Sequence, residues 1–116
     1  MIETDSFGKI VVNGVTYTHD IKIIQGTVIP EWRRKNGHQV EVADVKDILK
    51  SPADILIFGT GAYGMMKLTS ALREHLENKG IEWIEKNTSE SVKIFNRLHR
   101  EGIKVSAGFH LTCQYG

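Results

Sequence analysis

The chain has 116 residues, with 15 Lys plus Arg against 14 Asp plus Glu, and a formal net charge of +1. That length fits one domain, residues 1–116, with a modest core, and the near-neutral balance excludes the basic face expected of a nucleic-acid binder. No apolar run approaches the 18 residues that span a bilayer, and the acidic start "MIETDSFGK" is no secretion signal, so the expectation is a cytoplasmic protein with neither membrane nor nucleic acid as partner.

The first forty residues read as β structure. Asn13-Gly14 separates two β-rich runs in "KIVVNGVTYTHDIKII". Asn-Gly supplies the two positive φ angles of a type I′ hairpin turn. A second turn is expected at Gln25-Gly26. Pro30 has no N–H to give a ladder, so it marks an edge or a strand end. "EWRRKNGH" then reads as a loop turning at Asn36-Gly37, with Arg33-Arg34-Lys35 as a solvated cluster in preference to a phosphate contact.

From here the pattern alternates. Asp44 is placed to cap a short helix through Leu49, which Ser51-Pro52 ends. "DILIF" is a continuous apolar run and predicts a buried strand. Leu68, Leu72, His75 and Leu76 recur at helical spacing, and Gly80 suits the position after a helix end. Ile81 to Ile84 reads as a strand. Asn87 or Thr88 caps a last helix with Val92, Phe95 and Leu98 or His99 inward, closed by Gly102. The final segment "IKVSAGFHLTC" alternates. Ile103, Val105, Ala107, Phe109, Leu111 and Cys113 share one face, and Lys104, Ser106, Gly108, His110 and Thr112 the other.

The motif with the most chemistry is "ILIFGTGAYGMMKL". Gly59, Thr60, Gly61, Ala62, Tyr63 and Gly64 have the G-x-G-x-x-G spacing of a dinucleotide turn between a strand and a helix. In that reading Gly59 makes the turn and Gly61 lets backbone approach a pyrophosphate. Gly64 lets the helix pack close, and Glu85, 21 residues on, meets a ribose. Against it, the chain carries one βαβαβ half, whereas a dinucleotide site uses two. The glycines read first as backbone geometry and second as the rim of an anion site. Tyr63, Met65 and Met66 would rim such a pocket or serve a dimer contact. His38, following Gly37 beside Arg33 and Arg34, is a further anion-binding candidate; hydrogen bonding to backbone is the plainer role.

Cys113 is the single cysteine, so neither an internal disulfide nor a zinc site is expected. A Cys-His pair with His110 would make a thiolate nucleophile, but alternation puts the two on opposite faces. Glu82 and Glu85 are a carboxylate pair with no sign of burial. Trp32 and Trp83 fit a core or interface. Asn87-Thr88-Ser89 matches a glycosylation pattern and is read as helix capping.

The segments "FGKIVVNGVTYTHDIKI", "RRKNGH", "LIFGTGAYGM" and "FHLTC", in that order, resemble a family of small single-domain proteins from archaea, bacteria and eukaryotes. The family is named after a methanogen protein solved by structural genomics. It includes the adipogenesis-associated domain protein and is distantly related to a mitochondrial complex I assembly factor. The resemblance spans nearly the whole chain. Its most specific parts are the Gly-Thr-Gly turn and the closing His-x-Thr-Cys. It implies a three-layer α/β fold, a central mixed sheet flanked by helices with an added N-terminal β hairpin or meander, and no established activity. This chain differs in placing Ser106 and Gly108 in the last strand, where relatives are apolar on both faces, and in carrying Gln114-Tyr115-Gly116 after the usual terminal Cys.

The leading functional expectation is a non-catalytic protein that acts by binding or assembly, as a homo-oligomer or with an unidentified protein partner. The second is a small anionic ligand or nucleotide held by Gly59, Thr60, Gly61, Tyr63 and Gly64 with His38 and Arg33. The third is a thiol enzyme using Cys113. No cofactor and no metal are expected.

Overall fold

The structure, a computed structural model, describes residues 1–51 and 53–112. Cys113 and its expected role lie outside the described residues. Strands β1 (Ile2–Ser6), β2 (Lys9–Val12) and β3 (Val15–Tyr17) form a small antiparallel sheet. Asn13 and Gly14 adopt φ of 48° and 81° between β2 and β3, which is the expected I′ geometry. Next come β4 (Ile21–Ile24) and β5 (Thr27–Ile29), joined by Gln25-Gly26 with φ of 49° and 81°. The β-rich start is therefore two hairpin systems. One is the separate sheet, and the other joins the main sheet.

A short strand β6 (Gln39–Val40) precedes a single 3₁₀ turn (Val42–Val45) and helix α1 (Lys46–Lys50). The helical segment starts three residues earlier than the sequence suggests. Glu41 is the cap, and Asp44 sits inside the turn, where its carboxylate accepts the Glu41 N–H at 2.8 Å. Strand β7 (Ile55–Thr60) is buried as expected. It is followed by a two-residue strand β8 (Lys67–Leu68) paired in parallel with β6, and only then by helix α2 (Ser70–Asn78). Strand β9 (Trp83–Lys86), helix α3 (Thr88–Arg100) and strand β10 (Val105–His110) complete the described elements. Thr69 caps α2, accepting the Leu72 N–H at 3.2 Å, and Asn87 caps α3, accepting the Glu90 N–H at 2.9 Å. Gly80 and Gly102, with φ of 68° and 80°, follow the two helix ends.

The central sheet is mixed, with strand order β5-β4-β10-β7-β9. Strands β10, β7 and β9 are parallel, and β4 runs antiparallel to β10. Helix α3 and the small sheet cover one face through Ile2, Ile10, Val12, Val92 and Phe95. Helices α1 and α2 with Trp32 cover the other, through Val45, Ile48, Leu72 and Leu76. This is the three-layer α/β arrangement, with the N-terminal strands as an added piece.

One consequence decides where the site lies. From β7 the chain passes through α2 to β9 on one side, then through α3 to β10 on the other. The carboxyl ends of β7 and β9 therefore lead to opposite faces of the sheet, an arrangement that opens a crevice at that end. At the same end of the sheet Thr60 of β7 and His110 of β10 are register partners.

Candidate functional site

Strand β10 is buried along its whole length. A central strand flanked by β4 and β7 and covered on both faces has no solvated side, so the polar half of its alternating pattern is inside. At its end, His110 is 4 % exposed. Its Nδ1 lies 2.7 Å from Asp20 Oδ2, at the residue just before β4. The second oxygen of Asp20 accepts the Leu111 N–H at 2.9 Å. Arg34 reaches in from the loop after β5. Its Nη2 donates to Asp20 Oδ2 and to the Gly37 carbonyl, both at 2.8 Å, and lies 3.3 Å from His110 Nδ1.

The Arg34 side chain is only 4 % exposed. This corrects the reading of Arg33-Arg34-Lys35 as a solvated cluster for its middle member alone, since Arg33 and Lys35 are exposed. The reason is Trp32. The Arg34 guanidinium carbon lies 4.6 Å from the centre of the Trp32 ring, a cation–π distance. Trp32 is itself anchored by its Nε1 donating to the Asp44 carbonyl at 2.9 Å and its backbone N–H to the Asp20 carbonyl at 2.7 Å. The ring packs on Gly108, where a Cβ would come within 2.7 Å of it. A glycine in β10 thus makes room for the tryptophan that carries the arginine.

Electrostatics follow from this packing. Burial pushes the Asp20 carboxyl up. The hydrogen bond and charge of His110, the Leu111 N–H and the Arg34 charge outweigh it and hold the group below its ordinary 3.8. Asp20 is therefore a carboxylate that orients the ring, with Nδ1–H as donor, and the opposite nitrogen Nε2 faces away. Among the described residues, buried His110 Nε2 and Arg34 Nε and Nη1 have no hydrogen-bond partner. A cavity of about 420 Å³ adjoins the cluster. Asp20, Trp32, Arg34, Gly37, His110 and Thr112 line its inner part, and His19, Glu31 and Arg33 lie among its other walls.

The glycine motif borders this cluster in a form different from a dinucleotide turn. Gly59 and Thr60 belong to β7, not to the turn. A Cβ on Gly59 would lie 2.7 Å from Phe109 and 3.1 Å from the Thr88 hydroxyl, so its smallness serves helix–strand packing. Gly61 and Gly64, with φ of 100° and 69°, make the turn. The space beside Gly61 is filled by the Thr112 carbonyl and the His110 ring, so the chain itself takes up the close approach that a pyrophosphate would need. Strand β8 stands between this turn and α2, so that helix does not begin at the glycines. Helix α3 does the reaching instead: Gly61 N–H donates to Thr88 Oγ1 at 2.9 Å, and that hydroxyl donates to the His110 carbonyl.

Of the residues singled out from the sequence, His38 is brought to the cluster, its ring edge-on to His110 with centroids 6.5 Å apart. Its N–H also closes a turn on Asn36 Oδ1 at 3.0 Å. Gly61 walls His110. Arg33 lines the cavity but its side chain is 86 % exposed and 3.7 Å from Glu31. Tyr63 is 76 % exposed. Glu85, read as a ribose contact or a solvated acid, is bound to Arg73 at 2.5 and 2.9 Å and to the Trp83 indole at 3.0 Å. Asp20 and the buried role of Arg34 went unread. Among the described residues no group of three or more His, Cys, Asp or Glu is placed to hold a metal ion, and no helix is long and apolar enough to cross a membrane.

Residues 2–110 match the family described as "Protein of unknown function (DUF498/DUF598)". The chain belongs to this family. It is similar to the conserved hypothetical protein PH1505 of Pyrococcus horikoshii OT3, with 28 % identity, 97 % of this chain and 99 % of that one covered, and a TM-score of 0.82. It is also similar to a protein titled MT938, at 25 % identity over 97 % and 98 % of the two chains, with a TM-score of 0.80. The fold alone is shared with a Bordetella pertussis protein titled a Mth938-like domain, at 16 % identity, TM-score 0.71, and 99 % and 87 % coverage. The resemblance read from the sequence thus holds at the level of a small uncharacterised domain family.

Proposed function

We propose that this domain is a binding module for a small anion, held without turnover in the crevice at the end of β10, between the approach to β4 and the loop after β5. One observation carries the reading. A buried guanidinium and a buried imidazole, fixed by one carboxylate, keep three nitrogens without partners among the described residues beside an open cavity. Unpartnered buried polar groups are costly, by about 1–3 kcal/mol each, and a ligand that satisfies them recovers that cost. The site lies beside the Gly59–Gly64 segment rather than on it, with Gly61 as a wall and His38 and Arg33 near the rim.

The test is thermal unfolding with acetate, inorganic phosphate and nucleotides at millimolar concentration. An anion at a hundred times its Kd should stabilise the fold by about 2.7 kcal/mol, and Arg34→Gln should remove the shift. No shift with any of them counts against the reading.

A second reading concerns assembly. Tyr63 and Met65 are 76 % and 42 % exposed on the turn whose Gly61 packs against the His110 ring, and both residue types are enriched in interfaces. If two copies meet there, Tyr63→Ser with Met65→Ser should shift a sedimenting dimer to monomer. A wild-type chain that sediments as a monomer at high concentration removes the homo-oligomer.

A further inference from the structure

We infer that the crevice takes a small oxyacid of single negative charge, a carboxylate rather than a dianion, together with one proton that settles on His110 Nε2. The inference rests on the anion-binding reading above and adds the charge of the ligand and the group that matches it.

The charges already buried limit what the crevice can hold. Asp20 is ionised and Arg34 is permanently cationic. With a neutral imidazole the cluster sums to zero. An anion placed against Arg34 and His110 would then add one uncompensated negative charge to a buried site, and such charges are strongly disfavoured. The described cations on the cavity wall do not supply the compensation. Arg33 is solvated and sits beside Glu31, and Arg34 is already matched by Asp20.

His110 can supply it. Its Nδ1–H is committed to Asp20, so the atom that changes state is Nε2. In the neutral ring that atom is a lone pair, which repels an anionic oxygen. Protonated, it becomes an N–H donor and completes a charge-assisted hydrogen bond. The groups that face the ring are the Asp20 carboxylate ahead of β4, Arg34 from the loop after β5 and His38 from the turn before β6. The Thr88 hydroxyl of α3 binds its backbone carbonyl, and His19, Glu31 and Arg33 stand across the cavity. Asp20 favours the added proton and Arg34 opposes it. The incoming anion tips that balance.

Charge also selects the ligand. Arg34, Asp20 and protonated His110 sum to +1, so a monoanion leaves the site neutral. A doubly charged phosphate would leave it at −1.

The experiment titrates acetate, and separately sulfate, into the full chain from pH 5.5 to 8.5, following the His110 ring by NMR. Calorimetry in MES, HEPES and Tris, which differ in ionisation enthalpy, counts the protons. The expected result is one proton taken up per acetate, protonated Nε2 in the complex and acetate binding that weakens roughly tenfold per pH unit wherever a proton is taken up. Sulfate should bind more weakly than acetate throughout. His110→Gln cannot take the proton and should bind acetate much more weakly than wild type, with no proton uptake and little pH dependence. Should that variant not fold, the wild-type proton count and ring signals still decide. Acetate that perturbs His110 and Arg34 with no proton uptake and a flat pH profile overturns the inference and leaves the anion-binding reading standing. If no anion perturbs these residues, both fall.

Discussion

The two faces of strand β10 are equally buried and are built on opposite plans. Toward α3, Val105, Ala107 and Phe109 meet Ile57, Val92 and Phe95 in an apolar cluster, with the Phe95 and Phe109 rings edge to face at 5.9 Å. Toward Trp32, Ser106, Gly108 and His110 present a hydroxyl, an empty Cα and an imidazole. One face is held by shape and area removed from water. The other is held by charge pairing, and it ends in nitrogens without described partners. A strand can be core on both sides and still place chemistry on one.

That contrast is open to breaking. On the apolar face, Phe109→Ala should cost about 3–5 kcal/mol by urea unfolding, because it removes a fully buried ring and leaves a cavity. On the polar face the comparable loss is Asp20→Ala, about 3 kcal/mol, since it strands buried Arg34 without its counter-charge. The two should differ in pH response. The folded carboxyl of Asp20 is held below its ordinary value. Its contribution is therefore fully present above the unfolded pKa, near 3.8, and is lost as pH falls through the lower folded value. Melting temperatures of Asp20→Asn should flatten over that acid range relative to wild type, whereas Phe109→Ala should shift the curve at every pH. Equal acid slopes in wild type and Asp20→Asn would sink the assignment.

Smaller again is the join between the faces. Gly108→Ala should cost about 1–3 kcal/mol by forcing Trp32 off the strand, since the new methyl would stand 2.7 and 2.8 Å from two ring carbons. The indole fluorescence of the variant should change with it, and an unchanged Arg34–Trp32 contact would show that the ring is not held by this glycine.

How far these faces were legible in the sequence follows from the range of each signal. The hairpin at Asn13-Gly14, the stops at Gly80 and Gly102 and the cap at Asn87 depend on a few neighbouring residues, and all were readable. The alternation of β10 was readable too, but not that its polar side lies indoors, because that depends on β4, β7 and Trp32, from distant parts of the chain. Strand β8 was hidden because two residues paired with β6 carry no period. The cluster joins Asp20 to His110, 90 positions apart, and no local pattern links them. Arg34 sat in a basic triplet that reads as solvated. A clue was present in Gly108 on a strand, since a missing side chain in a buried strand marks something large against it.

The smallest effect bears on the same face. Ser106 Oγ is buried with no hydrogen-bond partner among the described residues, four positions from His110 and on its side of the strand. If the polar character of this face were simply tolerated, replacing the hydroxyl should be free. If the face were one connected network, it should hurt. The geometry separates the two cases. The bonds of Asp20, Arg34 and His110 close among themselves and with Gly37 and Leu111, and none runs to Ser106. Ser106→Ala therefore removes a desolvated hydroxyl and no described bond, and should leave stability unchanged or raise it by about 1 kcal/mol, with the acid profile of wild type retained. A loss above about 1 kcal/mol by urea unfolding would mean that the hydroxyl is bound in solution, and that the network extends along the strand rather than ending at His110.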